Sequence, residues 1–312
     1  MRNTFARWVT SEAEIINSFL ISGDLGFGVF EEFRKLHPNR FINAGVAEQS
    51  MIGIASGLSG LVGRIFVYSI GNFASLRCLE QIRNDVSYMN SKVTIVSVGS
   101  GFSYGAQGYT HHAIEDIAAL RAIPNLEIYC PADEIELENI LNEIKKSETP
   151  SFIRLGRGNE PRIHDPSAMI DMSAPIKISE GNDGIIFFSG PIGNEALKAR
   201  DRLRESGISP SIFSCPRVSF GYDYFSIIEE LDFPAVLVVE EHVKSGALMS
   251  SILESLIGKN VTLSRFSHLA IDDNLIHELG NQDHLRKIHQ IDADTIEKRF
   301  LTSINYSHNT NS

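Results

Sequence analysis

The chain has 312 residues, 43% of them hydrophobic and 21% charged, a balance that supports buried cores and is too apolar for disorder. That length accommodates two domains of roughly 150 residues each. With 28 basic against 39 acidic residues, the net charge of −11 argues against a nucleic-acid face, because no segment concentrates the lysines and arginines that phosphate binding needs.

The N-terminal "MRNTFARWVTSEAEII" has no apolar core of signal-peptide length, and nowhere do about eighteen apolar residues run together. The expectation is a cytoplasmic protein with no membrane segment. Further along, short apolar runs at 64–70, 92–100, 126–130 and 151–155 read as strands and alternate with helical patterns over 76–89, 113–123 and 133–147. This alternation predicts an α/β fold with a parallel sheet covered by helices. The 133–147 helix has Asp133 at its start and Lys145 and Lys146 at its end, both suited to the helix dipole. From Gly156 to Ala174 the punctuated "GRGNEPRIHDPSAMIDMSA" loses all period, so a linker is expected, drawn at 161–178 between domains at 1–160 and 179–312. Beyond it, strand runs at 183–190, 209–215 and 234–242 and a helix over 192–208 make the second unit α/β as well. The polar end "INYSHNTNS" reads as a frayed tail. The cysteines, Cys78, Cys130 and Cys215, are odd in number and widely separated, which fits reduced thiols and neither a disulfide framework nor a zinc knuckle.

No phosphate-binding P-loop, dinucleotide fingerprint, H-E-x-x-H or G-x-S-x-G occurs. The glycines of "GSGFSYGAQGYTHH" (99–112) lack the Lys and Ser or Thr of a phosphate cradle and read as an irregular active-site loop. In "RFINAGVAEQSMIGIASGLSG" (40–60) one carboxylate, Glu48, stands among small residues that place it inside the protein. A buried carboxylate is costly unless paired or protonated. From this segment alone, a helix-start acid satisfied by backbone N–H groups stands beside a catalytic one.

Three segments, "RFINAGVAEQSMIGIASGLS", "GNFASLRCLEQIRN" and "GAQGYTHHAIEDIAALRAIPNLEIYCPADEIE", resemble the pyrimidine-binding domain of transketolases in order and spacing. "VVEEHVKSGALMSSI" and "QDHLRKIHQIDADTI" resemble the transketolase C-terminal domain, so the chain is most similar to the C-terminal subunit of a split transketolase. The resemblance implies a smaller, mixed-sheet second domain and dependence on thiamine diphosphate. It also implies roles. Glu48 matches the glutamate that shares a proton with N1′ of the aminopyrimidine and favours its imino tautomer, and withdrawal from water makes a carboxyl more ready to hold that proton. Phe73 matches the ring that stacks on the aminopyrimidine, with Ile70 where the family usually has a second Phe. Asp24 matches an Asp near the cofactor, although an Asp after a strand is also a common turn residue. His111, in "YTHH", matches the histidine that contacts hydroxyls near the reacting carbons, and His112 replaces the usual Gln.

Departures from the family concern the substrate. Transketolases of aldose phosphates grip the phosphate with a Ser, a His and an Arg where this chain has Gly28, Gly99 and Arg157, so two of the three grips are missing. Gln107 replaces an Asp that contacts the acceptor's C2 hydroxyl. Two glycines imply extra room and an atypical acceptor, such as a nucleotide-linked sugar. The chain lacks the G-D-G motif that, with a later Asn, holds the diphosphate and Mg²⁺, and no metal ligands are assigned to it. The resemblance therefore implies an N-terminal diphosphate-binding partner subunit, in an α2β2 assembly. A 2-oxoacid dehydrogenase beta subunit and a half of a deoxyxylulose-phosphate-synthase-like enzyme are the enzymatic alternatives. A non-catalytic scaffold or regulatory partner is the alternative of another class.

Overall fold

The computed structural model describes residues 1–166, 170–219, 222–230, 235–261 and 265–309. Two sheets carry the fold. The first is six-stranded and wholly parallel, in the order β2-β1-β3-β4-β6-β5, built from β1 (Phe19–Ser22), β2 (Phe41–Asn43), β3 (Ile65–Ile70), β4 (Val93–Val98), β5 (Glu127–Tyr129) and β6 (Ser151–Leu155). β3, β4 and β6 are buried along nearly their whole length, which is why they read as continuous apolar runs rather than alternating ones. The second sheet is five-stranded, in the order β11-β10-β8-β9-β7, from β7 (Ile176–Ser179), β8 (Ile185–Ser189), β9 (Ser211–Ser214), β10 (Val236–Val243) and β11 (Phe266–Ile271). Its edge strand β7 runs antiparallel to β9, so the sheet is mixed.

Several expectations change on contact with the structure. Residues 176–178, assigned to the linker, belong to β7, because their backbone groups pair with β9 instead of water. Residues 167–169 of the linker lie outside the described residues. The 76–89 helix is composite: a 3₁₀ turn at Leu76–Cys78, an α turn at Leu79–Gln81 and a π stretch at Ile82–Ser87. Side-chain period alone does not distinguish these hydrogen-bond patterns. The tail expected to fray from Ile304 continues as helix to Asn309, the end of an element that begins at Ala293. Helix Glu134–Ile144 does begin at Asp133, whose Oδ1 accepts from the N–H of Ile135 and Glu136 at 3.0 Å each.

The sheets share a core. Ile95, Ile128 and Phe152 of the first pack in one buried cluster with Ile185, Phe187, Phe213 and Val236 of the second. No helix among the described residues is long and apolar enough to cross a membrane.

Candidate active site

In a parallel sheet with helices on both faces, the carboxyl ends of the strands open onto one edge, where loops carry ligands. The first sheet concentrates its candidates there. Asp24 and Gly28 follow β1, Glu48 follows β2, Ile70 closes β3 with Phe73 in the next turn, Gly99 through His111 follow β4, and Arg157 follows β6.

Glu48 is the first residue of helix Glu48–Ser59 and is only 3% exposed. Its Oε2 accepts from Arg77 Nη1 at 2.7 Å, and Ser69 Oγ donates to Oε1 at 3.4 Å. The guanidinium of Arg77 also lies 4.3 Å from the centroid of the Phe73 ring. Phe73 and Arg77 are four residues apart across the helical turns after β3, which brings them to one side. One basic side chain thus spans the buried acid and the aromatic face.

His111 is half-buried and meets Phe73 edge to face, with ring centroids 5.1 Å apart. Its Nδ1 is 2.9 Å from Thr110 Oγ1. Burial, and then the neighbouring His112, push its pKa below the usual histidine value, so the imidazole is neutral at neutral pH and offers an acceptor nitrogen. His112 points the other way: it is fully buried, with Nε2 3.2 Å from the Gly105 carbonyl oxygen, and packs edge-on to Phe102.

The site continues past His111. Tyr104 packs near it at a centroid distance of 6.3 Å, and the Arg157 guanidinium stands 5.5 Å from the centroid of the same ring. Gly99 adopts φ +100°, and a Cβ there would overlap the Tyr104 ring. The room expected at Gly99 is therefore filled by Tyr104. At Gly28 the expectation of open space agrees with the structure: nothing lies within 4 Å of a Cβ position, and the residue sits exposed at φ +75°.

Beyond Tyr104, Arg157 lines a cavity of about 570 Å³ with Arg2 and Arg7 from the first helix. Glu134 and Glu160 also line it, but Glu134 is paired with Arg162 and Glu160 accepts from the Met1 ammonium. Its three guanidiniums have no acid partner in the described structure, so this end of the site carries positive charge of the kind that suits an anion. Of these three only Arg157 is a candidate from the sequence, because no local pattern links Arg2 and Arg7 to it. Nor are Arg77 and Tyr104 candidates from the sequence; the Phe73-to-Arg77 spacing was the available signal.

Three further candidates stand at the same edge. Asp24 is exposed at φ +59° and accepts from Asn43 Nδ2 at 2.8 Å, one residue from Gly23, whose Cβ position is 3.7 Å from Glu48 Cγ. Ile70 is half-buried at the end of β3. Gln107 is exposed on the Gly105–Gln107 turn.

The buried carboxylate and adjacent aromatic face suit an aminopyrimidine: an acid to meet a ring nitrogen, and a flat ring to stack on. Among the described residues no group of three or more His, Cys, Asp or Glu is placed to hold a metal ion.

Comparison with known proteins agrees with this geometry. The sequence profile of the transketolase pyrimidine binding domain matches residues 1–162. A putative transketolase C-terminal section from Methanocaldococcus jannaschii is 34% identical over 86% of this chain and 84% of its own length. One of the subunits of an apulose-4-phosphate transketolase from Actinobacillus succinogenes is 32% identical, over 85% of each chain. A solved split-gene transketolase, described as an inactive β4 tetramer, superposes with a TM-score of 0.84 at 25% identity over 97% of both chains.

Proposed function

The chain belongs to the transketolase family, and on that premise we propose that it is the C-terminal subunit of a split, thiamine-diphosphate-dependent transketolase. It moves a two-carbon ketol unit from a ketose to a sugar acceptor, with a partner subunit completing the site. The observation that carries this reading is Glu48, a buried carboxylate joined through Arg77 to the Phe73 ring at the carboxyl edge of a parallel sheet.

Thiamine diphosphate, when bound, supplies a nucleophilic carbon that takes up the ketol unit. Glu48 would hold a proton at its pyrimidine nitrogen, while Phe73 and Ile70 would wall the ring from water. Arg77 and Ser69 satisfy the Glu48 oxygens meanwhile, so the acid is not buried unpaired. His111, with Nδ1 occupied by Thr110, presents Nε2 to a substrate hydroxyl, where a neutral imidazole accepts a proton as a carbon–carbon bond breaks. The diphosphate and Mg²⁺ fall to the partner, in an α2β2 assembly, and the free, buried thiols suit the cytoplasm.

The substrate we propose is an atypical sugar carrying an anionic group. Arg2, Arg7 and Arg157 support the anion, Gly28 leaves space on one side, and a relative acts on apulose-4-phosphate by its name.

Ketol transfer should be absent from the purified chain with thiamine diphosphate and Mg²⁺, and should appear when a diphosphate-binding partner is added. In that complex Glu48→Gln should cost about a hundredfold or more in kcat, the scale of a lost acid–base group. Activity without a partner, or an undiminished Glu48→Gln complex, overturns the reading. Pyruvate serving as donor in place of a ketose would reassign the chain to deoxyxylulose-phosphate-synthase-like chemistry.

A further inference from the structure

The loop that carries Tyr104, Gln107 and His111 is held from the second sheet. We propose that Glu241, near the carboxyl end of β10, is a positioning residue that fixes the backbone of this loop and through it the place of His111.

Glu240 and Glu241 are consecutive in an extended strand, so their side chains leave opposite faces. Glu240 accepts from Leu248 N at 2.8 Å and lies 2.7 Å from His268 Nε2, a role inside the second unit. Glu241 turns to the first unit. Its Oε1 accepts from the backbone N–H of Phe102 at 2.8 Å, and its Oε2 accepts from Arg286 Nε and Nη2 at 2.9 and 2.6 Å. Gln282 Nε2 donates to both oxygens, at 2.9 and 3.1 Å, and reaches Ser103 Oγ at 3.3 Å. One buried carboxylate therefore has every partner it needs, and two of its neighbours in this network, Phe102 and Ser103, belong to the loop.

Close packing repeats the message. A Cβ at Gly101 would lie 2.6 Å from Glu241 Cδ, and one at Gly105 would lie 2.6 Å from the Gly280 carbonyl oxygen and overlap Leu285. Phe102 stacks on His289 of the second unit, with centroids 5.0 Å apart, and also meets His112 edge to face. The loop backbone approaches the second unit at Gly101 and Gly105 more closely than a side chain would allow. Arg154 closes the ring: its Nη2 donates to the carbonyl oxygens of Ala113 and Glu241, while its Nε donates to Asp116. A charge-assisted bond to a backbone N–H in a dry interface is strong and directional, so it can set a loop to within the tolerance that a proton transfer requires.

The exchange part of the test stands on the structure alone, and only the kinetic part rests on the transketolase reading. Amide hydrogen exchange on the full chain should show residues 101–113 opening about tenfold or more faster in Glu241→Ala, the loss of one bond to a charged acceptor, with strand β8 unchanged. Gln282→Ala, which leaves no buried charge unpaired, should show a smaller acceleration in the same segment and serves if Glu241→Ala does not fold. In the complex with the partner, kcat should fall in each variant in proportion to loop opening while KM for the ketose stays nearly constant. Unchanged loop exchange in the folded variants overturns the clamp. Acceleration spread equally over both sheets reduces Glu241 to a structural residue, and a loosened loop with unchanged kcat removes the positioning role. If the wild-type complex transfers no ketol units, the functional reading fails while the exchange result still decides the clamp.

Discussion

At the scale of single residues, the site depends on which side chains are left out as much as on which are present. Gly99 is required twice over: by φ +100°, which side chains rarely adopt, and by the Tyr104 ring in the space a Cβ would take. The open space expected at this position is therefore taken by the Tyr104 ring, which also neighbours His111 and Arg157. Gly99→Ala should destabilise the chain by about 2 kcal/mol, as overpacking does, measured by urea unfolding. Adding Tyr104→Ala should recover only part of that loss, because the backbone strain stays. Full recovery would show that the strained φ costs nothing, and no loss at all would show that the ring does not occupy that space.

Among the elements, helix Glu134–Ile144 and the segment that follows β6 are joined by a buried ionisable group of three. Asp133 Oδ2 accepts from the backbone N–H of Ile163 and His164 at 2.8 Å each, and lies 3.1 Å from His164 Nδ1. Burial acts to raise the Asp133 pKa, but the bonds from His164 and Glu136 outweigh it and hold it at about 2. Complete burial pushes Glu136 up to about 7, against the pull of His164, whose own pKa is raised because its contacts with Asp133 and Glu136 outweigh its burial. Both raised groups hold protons in the fold that the unfolded chain has released. Their contribution is full below about pH 4.5 for Glu136 and about 6.5 for His164, and is lost as pH rises through the folded values; Asp133 acts oppositely, losing its contribution as pH falls toward about 2. The stability that Glu136 contributes should therefore be read as a difference: the urea midpoint of the wild type relative to that of Glu136→Gln should fall as pH rises from about 4.5 to about 7. A difference that grows over this range contradicts the assignment.

For the whole molecule, the two sheets are not independent bodies. Their apolar cluster is continuous, and the segment after β9 pairs with β5: Cys130 N donates to the Pro216 carbonyl at 2.6 Å, Val218 N to that of Ile128 at 3.0 Å, and Arg217 pairs with Glu127. Trp8, the single tryptophan, packs against Phe66 and donates to Asn142 Oδ1 at 3.1 Å, so its fluorescence reports on the first sheet alone. Far-UV ellipticity reports on both. The shared core predicts coincident thermal transitions by the two probes, and midpoints that separate would mean that the units unfold singly.

What the sequence determined by itself was the class of the buried strands and of the helix that starts at Asp133, and the identity of the residues whose chemistry is local. Buried strands announce themselves as β-branched runs, Asp133 as a helix start, and Glu48 as an acid among small residues, because these are properties of a few neighbouring positions. Only the tertiary structure could bring Arg77 onto Glu48 and Phe73, put Tyr104 in the space above Gly99, gather Arg2 and Arg7 with Arg157, and set Glu241 against Phe102. Apart from the Phe73–Arg77 and Gly99–Tyr104 pairs, which are close in sequence, these contacts join segments far apart in the chain. Their distances follow from how strands are ordered and sheets docked, and no local periodicity carries that information.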